Sequence, residues 1–244
     1  MEIVHSVFLD GDDTLWKTQC LYDEVKRRYV ALLEQNGIYE EYTIAQLDEL
    51  DAQRVALEGF TIERFVESML ILYRALSRKH GLSSDDQEVE AQICKLADYL
   101  KQPPQLYDDA LPTLRTLASQ ARLFLVSVGE TDLQASKIHA TNIRHYFEQV
   151  YIVPFKNNKV LTQILEQLRV EPHKAWFVGN SPRADIAPAL EAGMNALLVN
   201  RGTWRYDELT GGLRIDSKCS RFFKASSLFE AVRVITEEIG GCKQ

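Results

Sequence analysis

Short apolar runs alternate along the chain with stretches whose apolar residues recur every three or four positions. The run Val7-Phe8-Leu9 stops abruptly at the acidic cluster Asp10-Gly11-Asp12-Asp13, the mark of a buried strand reaching a polar rim. Runs of similar length recur at Leu123 to Val126, Tyr151 to Val153, Ala175 to Val178 and Ala196 to Val199, each followed or preceded by a segment of helical periodicity. Strands alternating with helices in this way predict an α/β fold, a doubly wound parallel sheet covered on both faces and joined by right-handed crossovers.

Between Leu15 and about Asp108 the pattern changes, and no strand-like run is expected there. Tyr22, Val25, Tyr29 and Leu32 form one helical stripe, Phe65, Met69, Leu72 and Leu76 a second, and Ile93, Leu96, Ala97 and Leu100 a third. This predicts an all-helical insert whose stripes are packing faces. Lys101-Gln102-Pro103-Pro104-Gln105 closes it, because consecutive prolines cannot continue a helix. The expected division is therefore an α/β core of residues 1–15 and 109–244 and a helical insert of residues 16–108.

The 244 residues, 45% hydrophobic and 26% charged, have the balance of a globular chain, which excludes disordered and collagen-like classes. No stretch approaches the roughly 18 uninterrupted apolar residues of a membrane span. The net charge of −7, from 28 basic and 35 acidic residues, argues against nucleic acid or an anionic membrane as partner, since both need a basic face. Cys20, Cys94, Cys219 and Cys242 are scattered without a Cys-x-x-Cys pair and read as free thiols. With an acidic start where a signal peptide needs a basic one, a cytoplasmic location is expected.

Four signals fall at the C-terminal ends of four expected strands, where open α/β sheets place their ligand crevice. In Asp10-Gly11-Asp12-Asp13-Thr14, two carboxylates spaced by two on an emerging strand are expected on the same side, so that one can attack while the other handles protons. Gly11 is expected to let a ligand approach the backbone. Ser127, followed by Val128 and Gly129 before a helix start near Thr131, offers a hydroxyl and free backbone N–H groups, the makings of a phosphate cradle. Lys156 follows Tyr151-Ile-Val-Pro-Phe and can stabilise both carboxylates and an incoming phosphoryl group. In Val178-Gly179-Asn180-Ser181-Pro182-Arg183-Ala184-Asp185, the last acid suits a divalent-metal ligand. Three carboxylates converging at strand ends would repel one another without a hard cation among them, which implies Mg²⁺.

The order DxDxT, strand-end Ser, Lys and GNSxxxD resembles the four motifs of the haloacid dehalogenase superfamily, and the resemblance spans nearly the whole chain. It implies a Rossmann-like core with an α-helical cap inserted between the first and second motifs. It also implies a Mg²⁺-dependent phosphatase acting on small phosphorylated metabolites. Carried over by position, Asp10 becomes the nucleophile that forms an aspartyl-phosphate and Asp12 the acid that protonates the leaving oxygen and then activates water. Metal ligands would be Asp10, the backbone carbonyl of Asp12, and Asp185. Gly11, Ser127, Val128, Gly129 and Lys156 would surround the phosphoryl group, with Thr14 and Asn180 just behind. Asn180 departs from the family, which often has Asp there, and so removes a negative charge near the metal. The insert would act as a lid, hinged near Leu15 to Lys17 and Pro103 to Asp108.

A dehalogenase of the same fold needs no acid at position 12, and a phosphomutase needs acid–base groups in the insert that residues 16–108 do not identify. A signalling receiver is much shorter and lacks the insert. A non-catalytic binding protein on this fold is the remaining alternative. His5, His80, His139, His145 and His173 fall outside the motifs and read as structural or exposed.

Overall fold

The structure is a computed structural model that describes residues 5–202 and 221–241. Cys219 and Cys242 lie outside these residues. The chain divides into two compact units, one of Met1–Lys17 with Pro103–Gln244, the other of Thr18–Gln102.

The first unit is built on a six-stranded parallel sheet. Its strands are β1 (Ser6–Leu9), β4 (Arg122–Val128), β5 (Gln149–Val153), β6 (Ala175–Gly179), β7 (Asn195–Val199) and β8 (Phe222–Ala225), in the spatial order β5-β4-β1-β6-β7-β8. The side-chain period of two sends Val7 and Leu9 to one face, where they pack with Ala110, Leu114 and Leu117 of α5 (Ala110–Ala118) and with Ala231 and Ile235 of α9 (Leu228–Gly241). Phe8 faces the other way, onto Leu161, Ile164 and Leu165 of α7 (Asn158–Leu168) and Ala189 of α8 (Ala187–Glu191). Burial on both faces is why the central strands read as continuous apolar runs.

Five of these strands coincide with the expected runs. β8 does not, because Phe222-Phe223-Lys224-Ala225 is a half-buried edge whose pattern is broken by a charge. Two residues at each end of the insert also pair where no strand was expected, as β2 (Trp16–Lys17) and β3 (Gln105–Leu106), a pair too short to show a period.

The strand order reverses direction between β1 and β6, and the register pairs Leu9 with both Leu125 and Val178. The residues following these three strands therefore emerge together at one edge, at the switch point where such sheets bind ligands.

The second unit is helical: α1 (Gln19–Gln35), α2 (Thr43–Glu58), α3 (Ile62–Lys79) and α4 (Gln87–Lys95). Thr61 caps α3 by accepting from Arg64 N, and Asp86 caps α4 by accepting from the N–H groups of Glu88 and Val89. The first two stripes lie on α1 and α3, joined by a hydrogen bond from the Tyr29 hydroxyl to the Met69 carbonyl at 2.8 Å. The third is split, because α4 ends at Lys95 and Leu96–Lys101 is a 3₁₀ segment. Among the described residues no helix is long and apolar enough to cross a membrane.

Candidate active site

At the end of β1 the chain stops being a strand and folds back on itself. The Gly11 carbonyl accepts from the N–H groups of Thr14, Leu15 and Trp16, and Asp13 adopts φ 54° within this turn. The turn overrides the expected strand parity, so Asp10 and Asp12 do not share a set of partners. The Trp16 indole lies where a side chain on Gly11 would project, 2.3 Å from the ideal Cβ position. Gly11 thus makes room for Trp16 on the side where a side chain would project.

Asp10 is buried, and its Oδ1 lies 2.5 Å from Lys156 Nζ, while the Thr14 hydroxyl donates to its Oδ2 at 2.9 Å. The same ammonium lies 2.6 Å from Oδ1 of Asp185, whose Oδ2 accepts from Ser181 N at 2.9 Å. Asp185 sits on the single π-turn Pro182–Ile186, capped by Ser181, and reaches the sheet only because position 179 has no side chain; a Cβ there would stand 2.3 Å from Asp185 Oδ2. Asn180 stands behind Asp10, its Oδ1 3.3 Å from the Thr14 hydroxyl.

Burial pushes the Asp10 carboxyl up to about 7; the Lys156 charge opposes this, while Asp185 and Asp12 reinforce it. Burial works against the Lys156 charge as well, but Asp10 and Asp185 outweigh it and hold the ammonium above its ordinary range. Lys156 is nearly enclosed, whereas Lys159, in the first turn of α7, is exposed.

Asp12 faces elsewhere. Its Oδ1 accepts from Trp16 Nε1 at 2.7 Å and from Lys137 Nζ at 2.6 Å, and its Oδ2 accepts from Gln134 Nε2 at 2.7 Å. The expected convergence of three carboxylates is corrected to two on Lys156 and a third on Lys137. Among the described residues no three His, Cys, Asp or Glu side chains gather as a metal cluster. The donor set still suits a hard cation: two buried carboxylates, balanced by one ammonium, leave one negative charge. Mg²⁺ is commonly held by one or two carboxylates, its other positions filled by water and substrate phosphate.

Ser127 lies inside β4, and its fully buried hydroxyl has no hydrogen-bond partner among the described residues. A buried hydroxyl without a partner is destabilising unless a bound group satisfies it. Gly129 adopts φ 136° and its N–H donates to the Val153 carbonyl at 3.2 Å, so it is not the free donor the sequence suggested. The Val128 carbonyl accepts from Gln134 Nε2 at 3.0 Å.

Four residues of this neighbourhood carry no motif signal. Gln134 and Lys137 belong to α6 (Thr131–Thr141), and a polar pair on a helix reads as a solvated face. Arg201 grips both carboxylate oxygens of Asp109, at 3.0 and 2.7 Å, and donates to the Thr14 carbonyl at 3.1 Å. Asp109 also accepts from Leu228 N at 2.8 Å, so this pair ties the turn after β1 to the start of α9.

A family profile described as haloacid dehalogenase-like hydrolase matches residues 4–193. The chain belongs to this family of hydrolases. A curated relative from Methanopyrus kandleri, named glyceraldehyde 3-phosphate phosphatase, is 27% identical over 214 residues, covering 83% of this chain and 87% of the relative. A protein of the same name from Methanothermobacter thermautotrophicus is 33% identical over 100 residues, 38% of this chain and 44% of its own. Among solved structures, a haloacid dehalogenase-like family hydrolase from Xanthomonas campestris superposes with a TM-score of 0.77 at 18% identity, covering 98% of this chain and 99% of the other. The hydrolase family and the sheet topology agree with the four-motif reading, and the relatives of this hydrolase include phosphatases.

Proposed function

We propose that this hydrolase cleaves small phosphate monoesters in two displacements, with Asp10 as nucleophile and Asp12 as proton carrier. The observation that carries the reading is the placement of Asp10 beside Lys156 and Asp185 at the switch point, with Asp12 two residues on but held by other partners. In the first displacement a carboxylate oxygen of Asp10 bonds to phosphorus, the ester P–O bond breaks, and the leaving oxygen takes the proton of Asp12. In the second, Asp12 takes a proton from water as its oxygen attacks phosphorus, freeing phosphate and restoring the Asp10 carboxylate.

The contacts of Asp10 with Lys156 and Thr14 fix the direction of its carboxylate before substrate arrives. Lys156 also supplies a fixed positive charge where phosphoryl charge develops. The Ser127 hydroxyl, without a hydrogen-bond partner among the described residues, is the donor best suited to a phosphoryl oxygen, with Gly11, Val128 and Gly129 framing the same edge. Asp10, Asp185 and the Asp12 carbonyl would hold Mg²⁺, which when bound neutralises phosphoryl charge. Thr14 and Asn180 act by supporting Asp10.

We assign substrate selection to the helical unit, the proposed cap. Glyceraldehyde 3-phosphate, from the curated relatives' name, is the first compound to assay. The scattered cysteines, with no Cys-x-x-Cys pair, fit a reducing, cytoplasmic setting. The test is phosphate release from a panel of phosphorylated metabolites with Mg²⁺, repeated with EDTA. Metal-dependent release supports the reading, and its absence across the panel overturns it.

A further inference from the structure

Asp12 is gripped by two side chains of one helix that belong to none of the four motifs. We propose that Gln134 and Lys137 are positioning residues that aim the Asp12 carboxylate and tie it to the end of β4. The inference rests on Asp12 being the proton carrier.

Gln134 and Lys137 are spaced by three on α6 and so project from the same face of the helix. Both are buried, at 2% and 5% exposure. An ammonium so enclosed is tolerated only when paired, and Lys137 pairs with Asp12 at 2.6 Å. The Gln134 amide donates at once to Asp12 Oδ2 and to the Val128 carbonyl, at 2.7 and 3.0 Å. A Cβ at position 129 would stand 2.9 Å from the same Gln134 nitrogen, so Gly129 leaves the space that the amide uses. One side chain thereby links the acid to the strand end carrying Ser127.

The arrangement has a chemical reason. Lys156 already serves Asp10 and Asp185, and its charge attracts any nearby carboxylate. An unrestrained Asp12 on a turn would be drawn toward that ammonium. A second ammonium and an amide on the side of α6 hold Asp12 apart from the Asp10 pair and fix its carboxylate where a leaving oxygen can be met. Geometry of this kind decides whether a proton carrier is within reach of its target.

The test compares an alkyl phosphate, whose leaving group needs a proton, with p-nitrophenyl phosphate, whose leaving group does not. Lys137→Met is expected to lose about 10²-fold in kcat/KM on the alkyl ester, within the range general acid–base catalysis supplies, and only about threefold on the nitrophenyl ester. Gln134→Ala should show the same bias, and Lys137→Arg should recover most of the alkyl rate. In an Asp12→Asn background, Lys137→Met should add no further loss on either ester, since a residue acting through Asp12 has nothing left to act on. Equal losses on the two esters, or losses that add in the double variant, overturn the proposal. If Asp12→Asn shows the bias and neither α6 variant does, only the positioning role falls. If Asp12→Asn itself shows no bias, the proton-carrier reading falls and takes the proposal with it. Gln134→Ala retains the ion pair, so a folding failure of Lys137→Met leaves the comparison intact.

Discussion

Lys156 Nζ lies 2.5 Å from Oδ1 of Asp10, a contact between residues 146 positions apart that is buried on both sides. It is possible because β1 and β4 are neighbours and β5 lies beyond β4, so the loop after Val153 reaches back over the sheet edge. The same ammonium reaches Asp185 from the far side of β1.

The first prediction separates two lysines. Lys156→Ala removes an enclosed cation and is expected to lower kcat by about 10² to 10³, the range for a missing charge at developing negative charge. Lys159 is exposed, and its removal should change kcat/KM little. Steady-state kinetics on one ester should separate the two variants by at least about tenfold; comparable losses would contradict the assigned roles.

Asp10→Asn is expected to abolish turnover while raising stability in metal-free buffer. The folded carboxyl stands at about 7 against an ordinary 3.8, so the folded protein binds this proton more tightly than the unfolded chain. Its stabilising contribution is present below the unfolded value and is lost as pH rises through about 7. The amide removes that loss, so urea midpoints at pH 8 with EDTA should be higher for the variant, and the gap should close toward pH 4. A lower midpoint at pH 8 would contradict the electrostatic account.

Gly179→Ala tests the seat of Asp185. The added methyl would sit 2.3 Å from Asp185 Oδ2 and 2.4 Å from its Cγ, forcing the carboxylate away from Lys156. A displacement of this size is expected to cost about 10²-fold in kcat/KM, with a higher Mg²⁺ requirement. Metal titrations of activity will show whether both change together; an unaltered Mg²⁺ requirement contradicts a metal role for Asp185.

Arg201→Ala leaves Asp109 buried without its bidentate partner, and the Thr14 carbonyl without a donor. Loss of one member of such a pair is expected to cost about 3–5 kcal/mol in urea unfolding. A change under about 1 kcal/mol would place this pair with solvent-exposed ion pairs instead.

The sheet was legible because its central strands are apolar on both faces and their apolar runs stop at a polar residue or a glycine, Asp10, Ser127, Gly179 and Asn200, so each boundary is abrupt in the sequence. β8 escaped detection as a half-buried edge, and β2 and β3 as two-residue pairs. Asp10, Lys156 and Asp185 follow strands that the topology brings to one edge, and Ser127 lies next to the last residue of another. The order of these residues along the chain is what made that neighbourhood readable. The direction of Asp12 could not be anticipated, since it depends on a turn closing over the Gly11 carbonyl and on Trp16 packing against Gly11. Gln134 and Lys137 look like solvated helix residues until α6 is placed against the turn after β1. Arg201 and Asp109 are 92 positions apart, and their pairing exists only in the folded chain.

Transfer of the phosphoryl group to Asp10 is the central claim, and mass spectrometry of acid-quenched enzyme tests it most directly. Asp12→Asn keeps the nucleophile but cannot activate water, so with p-nitrophenyl phosphate and Mg²⁺ it should accumulate a covalent phosphoryl adduct. Peptide mapping is expected to place that adduct on Asp10 and to find none in Asp10→Asn. An adduct on another residue, or persistence of the adduct in Asp10→Asn, would contradict the account.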